Sequence, residues 1–151
     1  MSHSSLGTIL LVEDEPLVRL VTADILIAVN FRVIEASKVE EALMVLQAGV
    51  EVDVLLSDVE MPPGRDGYEL ARQVHAQWPT VEILITSGRD WPREGDLPPG
   101  AAFLAKPCPS ETLASHVRSA VGRAQATRAV SLSAGNADWD EGTVVPFPKV
   151  G

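Results

Sequence analysis

The sequence predicts an α/β fold: a five-stranded parallel sheet, doubly wound, with helices covering both faces. Three observations carry that prediction. Short apolar runs of strand character alternate with longer stretches of helical spacing from residue 8 to about residue 125, the pattern of parallel strands joined by crossover helices. Four of those runs end on an acid, a threonine or a lysine, and in such sheets the working residues collect beyond the carboxyl ends of the strands. The length, 151 residues, suits one domain with a sizeable core.

The elements follow in order. Residues 8–12 (TILLV) read as a buried strand. Pro16 stands where a first helical turn tolerates proline, and Leu17, Leu20, Val21, Ile25 and Ala28 keep helical spacing until Asn30 stops it. Residues 31–35 (FRVIE) form a second strand. Ser37 is expected to cap a helix through about Ala48, with Gly49 ending it. Residues 52–57 (VDVLLS) are a third strand running into Asp58, and residues 67–78 a third helix closed by Pro79. Residues 81–86 (VEILIT) give the fourth strand. The fourth helical slot, residues 89–100, holds Pro92, Pro98 and Pro99 with two glycines, so a short or irregular fourth helix is expected. Residues 102–105 (AFLA) are the fifth strand. Ser110 is read as the cap of a last helix that presents Leu113, Val117, Ala120, Val121 and Ala124 on one face. The division that results is an N-terminal extension (1–6), one domain (7–128) and a flexible C-terminal tail (129–151). Within that tail the Val-Val-Pro-Phe-Pro run suits a groove or sheet edge as a docking segment.

Composition narrows the function. With 46% hydrophobic and 22% charged residues the chain is globular rather than disordered. A net charge of −9 argues against nucleic acid or an anionic membrane as partner. The single cysteine, Cys108, allows no internal disulfide and fits a reducing compartment. Its thiol is read as packed rather than reactive, and His3, His75 and His116 share no metal-ligand spacing. The N-terminus lacks a signal-peptide pattern and no apolar run is long enough to span a bilayer, so a cytoplasmic location is expected.

On the predicted scaffold, Glu13 and Asp14 leave the first strand, Asp58 the third, Thr86 the fourth and Lys106 the fifth. Carboxylates gathered at one edge repel each other unless a cation joins them. Mg²⁺ fits, because it takes oxygen ligands and keeps room for a phosphoryl oxygen. A carboxylate, a divalent ion, an ammonium and a hydroxyl are the components for transferring a phosphoryl group to aspartate.

The motifs LLVEDEP, LLSDVEMPPGRDG, ILITSG and FLAKP, in that order, resemble those of the response-regulator receiver domains of two-component signalling, over about residues 7–125. The resemblance implies a flavodoxin-like receiver fold with Asp58 as phosphoacceptor. It implies a Mg²⁺ site formed by Glu13, Asp14, Asp58 and the backbone carbonyl of Glu60. Thr86 and Lys106 would act on the phosphoryl group, Thr86 and Phe103 would form the switch pair, and the Lys106–Pro107 bond would be cis. The Glu60 side chain is read as solvent-facing, though able to tune attack by water on the phosphoaspartate. The implied donor is a histidine kinase or histidine phosphotransfer protein, and the output runs through an unidentified downstream protein or by draining phosphate. No catalysis is expected beyond Mg²⁺-dependent self-phosphorylation and autodephosphorylation.

Three departures stand out: one extra residue between Met61 and Asp66, the broken fourth helix, and no output domain after the last helix, which suggests a stand-alone regulator. The alternative is a receiver-like binding module that works without phosphorylation. An aspartyl-phosphate hydrolase would want a second Asp where Glu60 stands, and a flavin carrier is opposed by acids where its phosphate would bind.

Overall fold

The computed structural model describes residues 5–61, 66–89 and 91–139. Nine elements follow in chain order: β1 (Thr8–Val12), α1 (Pro16–Ala28), β2 (Arg32–Ala36), α2 (Val39–Gln47), β3 (Val54–Asp58), α3 (Gly67–Gln77), β4 (Glu82–Ser87), β5 (Ala102–Ala105) and α4 (Ser110–Trp139). The strands form one parallel sheet in the order β2-β1-β3-β4-β5. The chain therefore reverses its direction of winding at β1, and a crevice opens beyond the carboxyl ends of β1 and β3.

Strand alternation sorts the core into two layers. Leu10, Val12, Leu55, Ile83 and Ile85 meet Leu43, Leu46, Leu70 and Val74 of α2 and α3. Ile9, Leu11, Val54, Leu56, Leu84 and Leu104 meet Ala23 and Leu26 of α1 with Leu113, Val117 and Val121 of α4. Asp58 and Thr86 continue the second series, opposite each other in the β3–β4 register.

Boundaries move by one or two residues from those expected. Lys38, not Ser37, occupies the α2 cap position, and the Ser37 hydroxyl and amide both donate to the Glu41 carboxylate. Ser110 is already the first helical residue of α4. The cap that sequence reading passed over is Asp66, whose side chain accepts from the Glu69 amide and starts α3. Asn30 does stop α1, in the left-handed region at φ 74°.

Two larger differences concern the later half. Among the described residues, nothing between β4 and β5 is helical: residues 94–96 make only a turn, held where the Arg93 amide donates to Asp96 Oδ2 and Arg72 Nη1 to the Asp96 carbonyl. Pro92, Pro98 and Pro99 deny a helix its donors. At the other end, α4 runs through Trp139, so the boundary expected at residue 128 falls inside a helix; residues 140–151, with the Val-Val-Pro-Phe-Pro run, lie outside the described residues.

Arg128 ties that helix to the base of the sheet. Its Nη2 lies 2.6 Å from Oδ1 of buried Asp53 and its Nε 3.1 Å from Glu51 Oε2. Asp53 Oδ2 in turn accepts from the Thr8 amide at 2.8 Å. At the opposite end of the sheet Gly67 lets α3 close against β3, because a Cβ there would collide with the Asp58 carbonyl oxygen.

Candidate functional site

At the carboxyl edge each side chain is placed by the strand that delivers it. Asp58 is the last residue of β3 and is 7% exposed. Its Oδ1 accepts from the Val59 amide at 2.9 Å and lies 3.3 Å from Lys106 Nζ. Glu13, just past β1, is buried too. Its Oε1 takes the Lys106 ammonium at 3.2 Å and its Oε2 the Glu15 amide at 3.2 Å. Arg19 Nη1 donates to the Glu13 carbonyl at 2.8 Å and holds that turn against α1.

Lys106 thus bridges two buried carboxylates. It follows β5 at the cis Lys106–Pro107 peptide that the motif implied. Burial pushes the Asp58 carboxyl up to about 6, against the pull of the Lys106 charge, with the charges of Glu13 and Glu60 adding to the rise. Burial also works to lower the Lys106 ammonium, yet Asp58 and Glu13 hold it above its ordinary value.

Asp14 completes an acidic triplet: one carboxylate oxygen each from Glu13, Asp14 and Asp58 lie within 4.8 Å of one another. The set is all oxygen, crowded, and balanced by one ammonium. Those properties fit a hard divalent cation such as Mg²⁺. An open cavity of about 740 Å³ lies over the triplet, lined also by Glu60, Met61, Asp66, Gly88 and Lys106.

The remaining expected residues fare differently. Thr86 stands at the site edge, its hydroxyl donating to the Ser57 carbonyl at a long 3.5 Å. Phe103 is opposite Ile85 in the β4–β5 register, whereas Thr86 is opposite Leu104. The two side chains of the expected switch pair therefore leave opposite faces of the sheet. The Phe103 ring packs on exposed Trp91, centroids 5.1 Å apart and planes tilted by 50°. Sequence reading did not single out Trp91, because nothing local marks a tryptophan in a proline-rich loop as a partner of β5. Glu60 is not free in solvent: it is half-buried, and its Oε2 accepts from the Ser87 hydroxyl at 2.9 Å. Cys108 is half-buried, and burial raises its thiol.

Comparison with known proteins bears on this arrangement. The family model described as "Response regulator receiver domain" matches residues 9–118. Among curated proteins the chain is 36% identical over 123 residues to the sensor kinase CckA of Brucella abortus, covering 76% of this chain and 12% of that one. It is 34% identical over 116 residues to the positive alginate biosynthesis regulatory protein of Pseudomonas aeruginosa, covering 74% of this chain and 46% of that one. The chain thus spans under half the length of each of these two relatives. Among solved structures, the receiver domain from the hybrid histidine kinase CckA aligns with TM-score 0.65 at 37% identity, covering 76% of this chain and 99% of that domain. A response regulator receiver protein from Sinorhizobium medicae aligns with TM-score 0.71 at 27% identity, covering 78% and 96%. The sheet order, the acid triplet bridged by a lysine and the family match lead to one conclusion: the chain belongs to the response regulator receiver domain family of two-component signalling.

Proposed function

We infer that this chain is a phosphorylatable response regulator that takes a phosphoryl group on Asp58 from a histidine kinase or histidine phosphotransfer protein and signals through protein contacts or drains phosphate from its kinase. One observation carries the reading: Lys106 Nζ sits 3.2 Å from Glu13 and 3.3 Å from Asp58, in a triplet of carboxylates open to a cavity. Oδ1 of Asp58 is held by the Val59 amide and Lys106, so this reading assigns the attack on phosphorus to Oδ2. Lys106 is released from part of its carboxylate pairing as negative charge builds on the transferred group, and its ammonium then neutralises the equatorial oxygens. The Thr86 hydroxyl, weakly held, can turn to donate to the same group. Glu13, Asp14, Asp58 and the Glu60 carbonyl would hold Mg²⁺, which supplies further charge neutralisation when bound. Asp58 is a substrate in its own modification, so no catalysis of an external reaction is assigned. Among the described residues no helix is long and apolar enough to cross a membrane, and the cytoplasm is the compartment we assign.

Helix α1 offers the donor a place to dock. Leu17, Leu20 and Val21 are 68%, 52% and 51% exposed, an apolar patch beside the site. Patches of this kind mark protein contacts. Leu20→Asp is expected to slow transfer from the kinase at least tenfold, and to slow labelling by a small acyl phosphate far less. Equal slowing with both donors would remove α1 from the docking surface.

Proton and ion compete for Asp58, whose carboxyl titrates near 6. Mg²⁺ affinity should therefore rise roughly tenfold per unit of pH up to about 6 and level off above it. Calorimetric titrations across that range would read the slope, and a flat profile would take Asp58 out of the ligand set.

The test of function is intact-mass spectrometry after incubation with acetyl phosphate and Mg²⁺. A gain of about 80 Da, one phosphoryl group, lost in Asp58→Ala and with chelator, is the expected result. No adduct from acetyl phosphate or from a phosphorylated histidine phosphotransfer protein, together with an amide spectrum unmoved by beryllofluoride and Mg²⁺, would leave a binding module that works without phosphorylation.

A further inference from the structure

The proline-rich segment between β4 and β5 builds a second, smaller cavity beside the acid triplet. Its volume is about 190 Å³, and it is lined by Val59, Glu60, Tyr68, Trp91, Arg93 and Asp96. Of these, only Glu60 also lines the cavity over the triplet. The loop side is set by a turn in which the Asp96 amide donates to the Arg93 carbonyl at 3.0 Å and the Arg93 amide to Asp96 Oδ2 at 2.7 Å. Arg72 Nη1 donates to the Asp96 carbonyl at 2.9 Å and ties that turn to α3. On the strand side, the hydroxyl of buried Ser87 donates to Glu60 Oε2 at 2.9 Å. Both carboxylates are therefore held by the chain. The indole is held too: Trp91 is 72% exposed, yet its ring packs at a tilt on Phe103.

The lining selects the chemistry of an occupant. Two carboxylates stand against one guanidinium, that of exposed Arg93, in a chain whose net charge is −9. An anion is disfavoured there and a cation favoured. Aromatic rings beside carboxylates suit a flat cation best, since a guanidinium stacks on an indole while donating in its own plane to a carboxylate; an ammonium lacks that plane. The cavity is smaller than the roughly 300 Å³ at which pockets begin to enclose a whole small-molecule ligand. One side chain fits it, and tryptophan and arginine are the residues on which binding energy concentrates at protein interfaces.

We propose that the pocket formed by Trp91, Tyr68, Glu60 and Asp96 is a docking site for an arginine side chain of a partner protein. The guanidinium stacks on the Trp91 indole and donates to the carboxylates. Arg93 is the internal competitor, because its own charge offsets part of the lining and gives way to the incoming arginine. The site does not depend on Asp58 accepting a phosphoryl group, so the acetyl phosphate experiment and the one below succeed or fail separately.

The probe is a capped peptide, Ala-Ala-Arg-Ala-Ala, titrated into the full-length chain with Mg²⁺ present at saturation to occupy the acid triplet. Amide and indole resonances are followed by NMR. Shifts at the Trp91 indole N–H and around Tyr68 and Asp96 are expected, with half-saturation on the order of 1 mM for a single anchor. Lysine in place of arginine should bind about threefold more weakly or worse. Citrulline, which keeps the shape and loses the charge, should leave the spectrum unmoved. Trp91→Ala and Glu60→Gln should each weaken binding about fivefold or more, and Arg93→Ala should tighten it about twofold or more. Trp91 is exposed and glutamine keeps the shape of Glu60, so both variants should fold. Binding of the citrulline peptide as tightly as the arginine one, shifts centred on Glu13 and Asp14, or affinity unchanged in Trp91→Ala or Glu60→Gln would each overturn the proposal. A lysine peptide that binds as well as the arginine one would overturn the choice of arginine. Binding of free arginine without binding of the peptide would overturn the partner protein in favour of a small-molecule site.

Discussion

Asp58→Asn will abolish phosphoryl incorporation and, without metal, make the protein more stable. The loss of chemistry follows, on the proposed function, from removing the oxygen that would attack phosphorus. The gain in stability follows from the sign of the shift. The Asp58 carboxyl rises from 3.8 to about 6 on folding, so the folded state disfavours the charge. Protonation relieves that penalty at low pH, and the penalty grows as pH rises from about 4 through 6. Above that it is complete, at about 3 kcal/mol for a shift of roughly two units. Asparagine keeps the shape and carries no charge, so its melting temperature at neutral pH should exceed the parent's by several degrees. The advantage should vanish near pH 4 and shrink when Mg²⁺ is added to the parent. Thermal melts in chelator at both pH values would read it, and an Asn variant no more stable than the parent would mean that Lys106 already compensates the charge.

Arg128→Ala should have the largest destabilising effect outside the site. It leaves Asp53, 4% exposed, with only the Thr8 amide in place of a guanidinium at 2.6 Å. Removing one partner of a buried pair costs about 3–5 kcal/mol, since the other charge stays buried and uncompensated. In a chain of this size that is a fall in melting temperature of roughly ten degrees. Adding Asp53→Asn to Arg128→Ala should recover part of the loss. Equal melting of the parent and Arg128→Ala would show that water reaches Asp53.

The two features were not equally legible from the sequence. Glu13, Asp14, Asp58 and Lys106 were, because each interrupts an apolar run at its carboxyl end and the fold class dictates where such ends converge. Thr86 was legible as a site-edge residue by the same logic. Arg128 and Asp53 lie 75 positions apart, and Ser87 and Glu60 27 apart; nothing in local pattern says that two polar residues so separated will meet. Phe103 was placed by its offset from Lys106, yet the strand register turns its ring toward Trp91, a matter of side-chain parity that an offset alone does not carry. The loss of helix between β4 and β5 was half legible: the prolines forbade a regular helix, but the turn that replaces it depends on Asp96 accepting from Arg93 and Arg72, which is tertiary. The continuation of α4 past residue 128 went unread because residues 129–139 mix alanines with serines, a glycine and an asparagine, and propensity alone leaves such a stretch undecided.

On the proposed function, the proline-built segment between β4 and β5 bears on which protein partners can read this chain. A listener that recognises its regulator by gripping a helix at that place finds, among the described residues of this chain, a turn and an exposed indole instead. Shape alone would then keep the message off the wrong line: discrimination comes from withholding a handhold, without any repulsive charge. A partner suited to this chain would have the opposite task, and Trp91 packed at a tilt on Phe103 would give it an exposed aromatic anchor that a helix at that place does not offer.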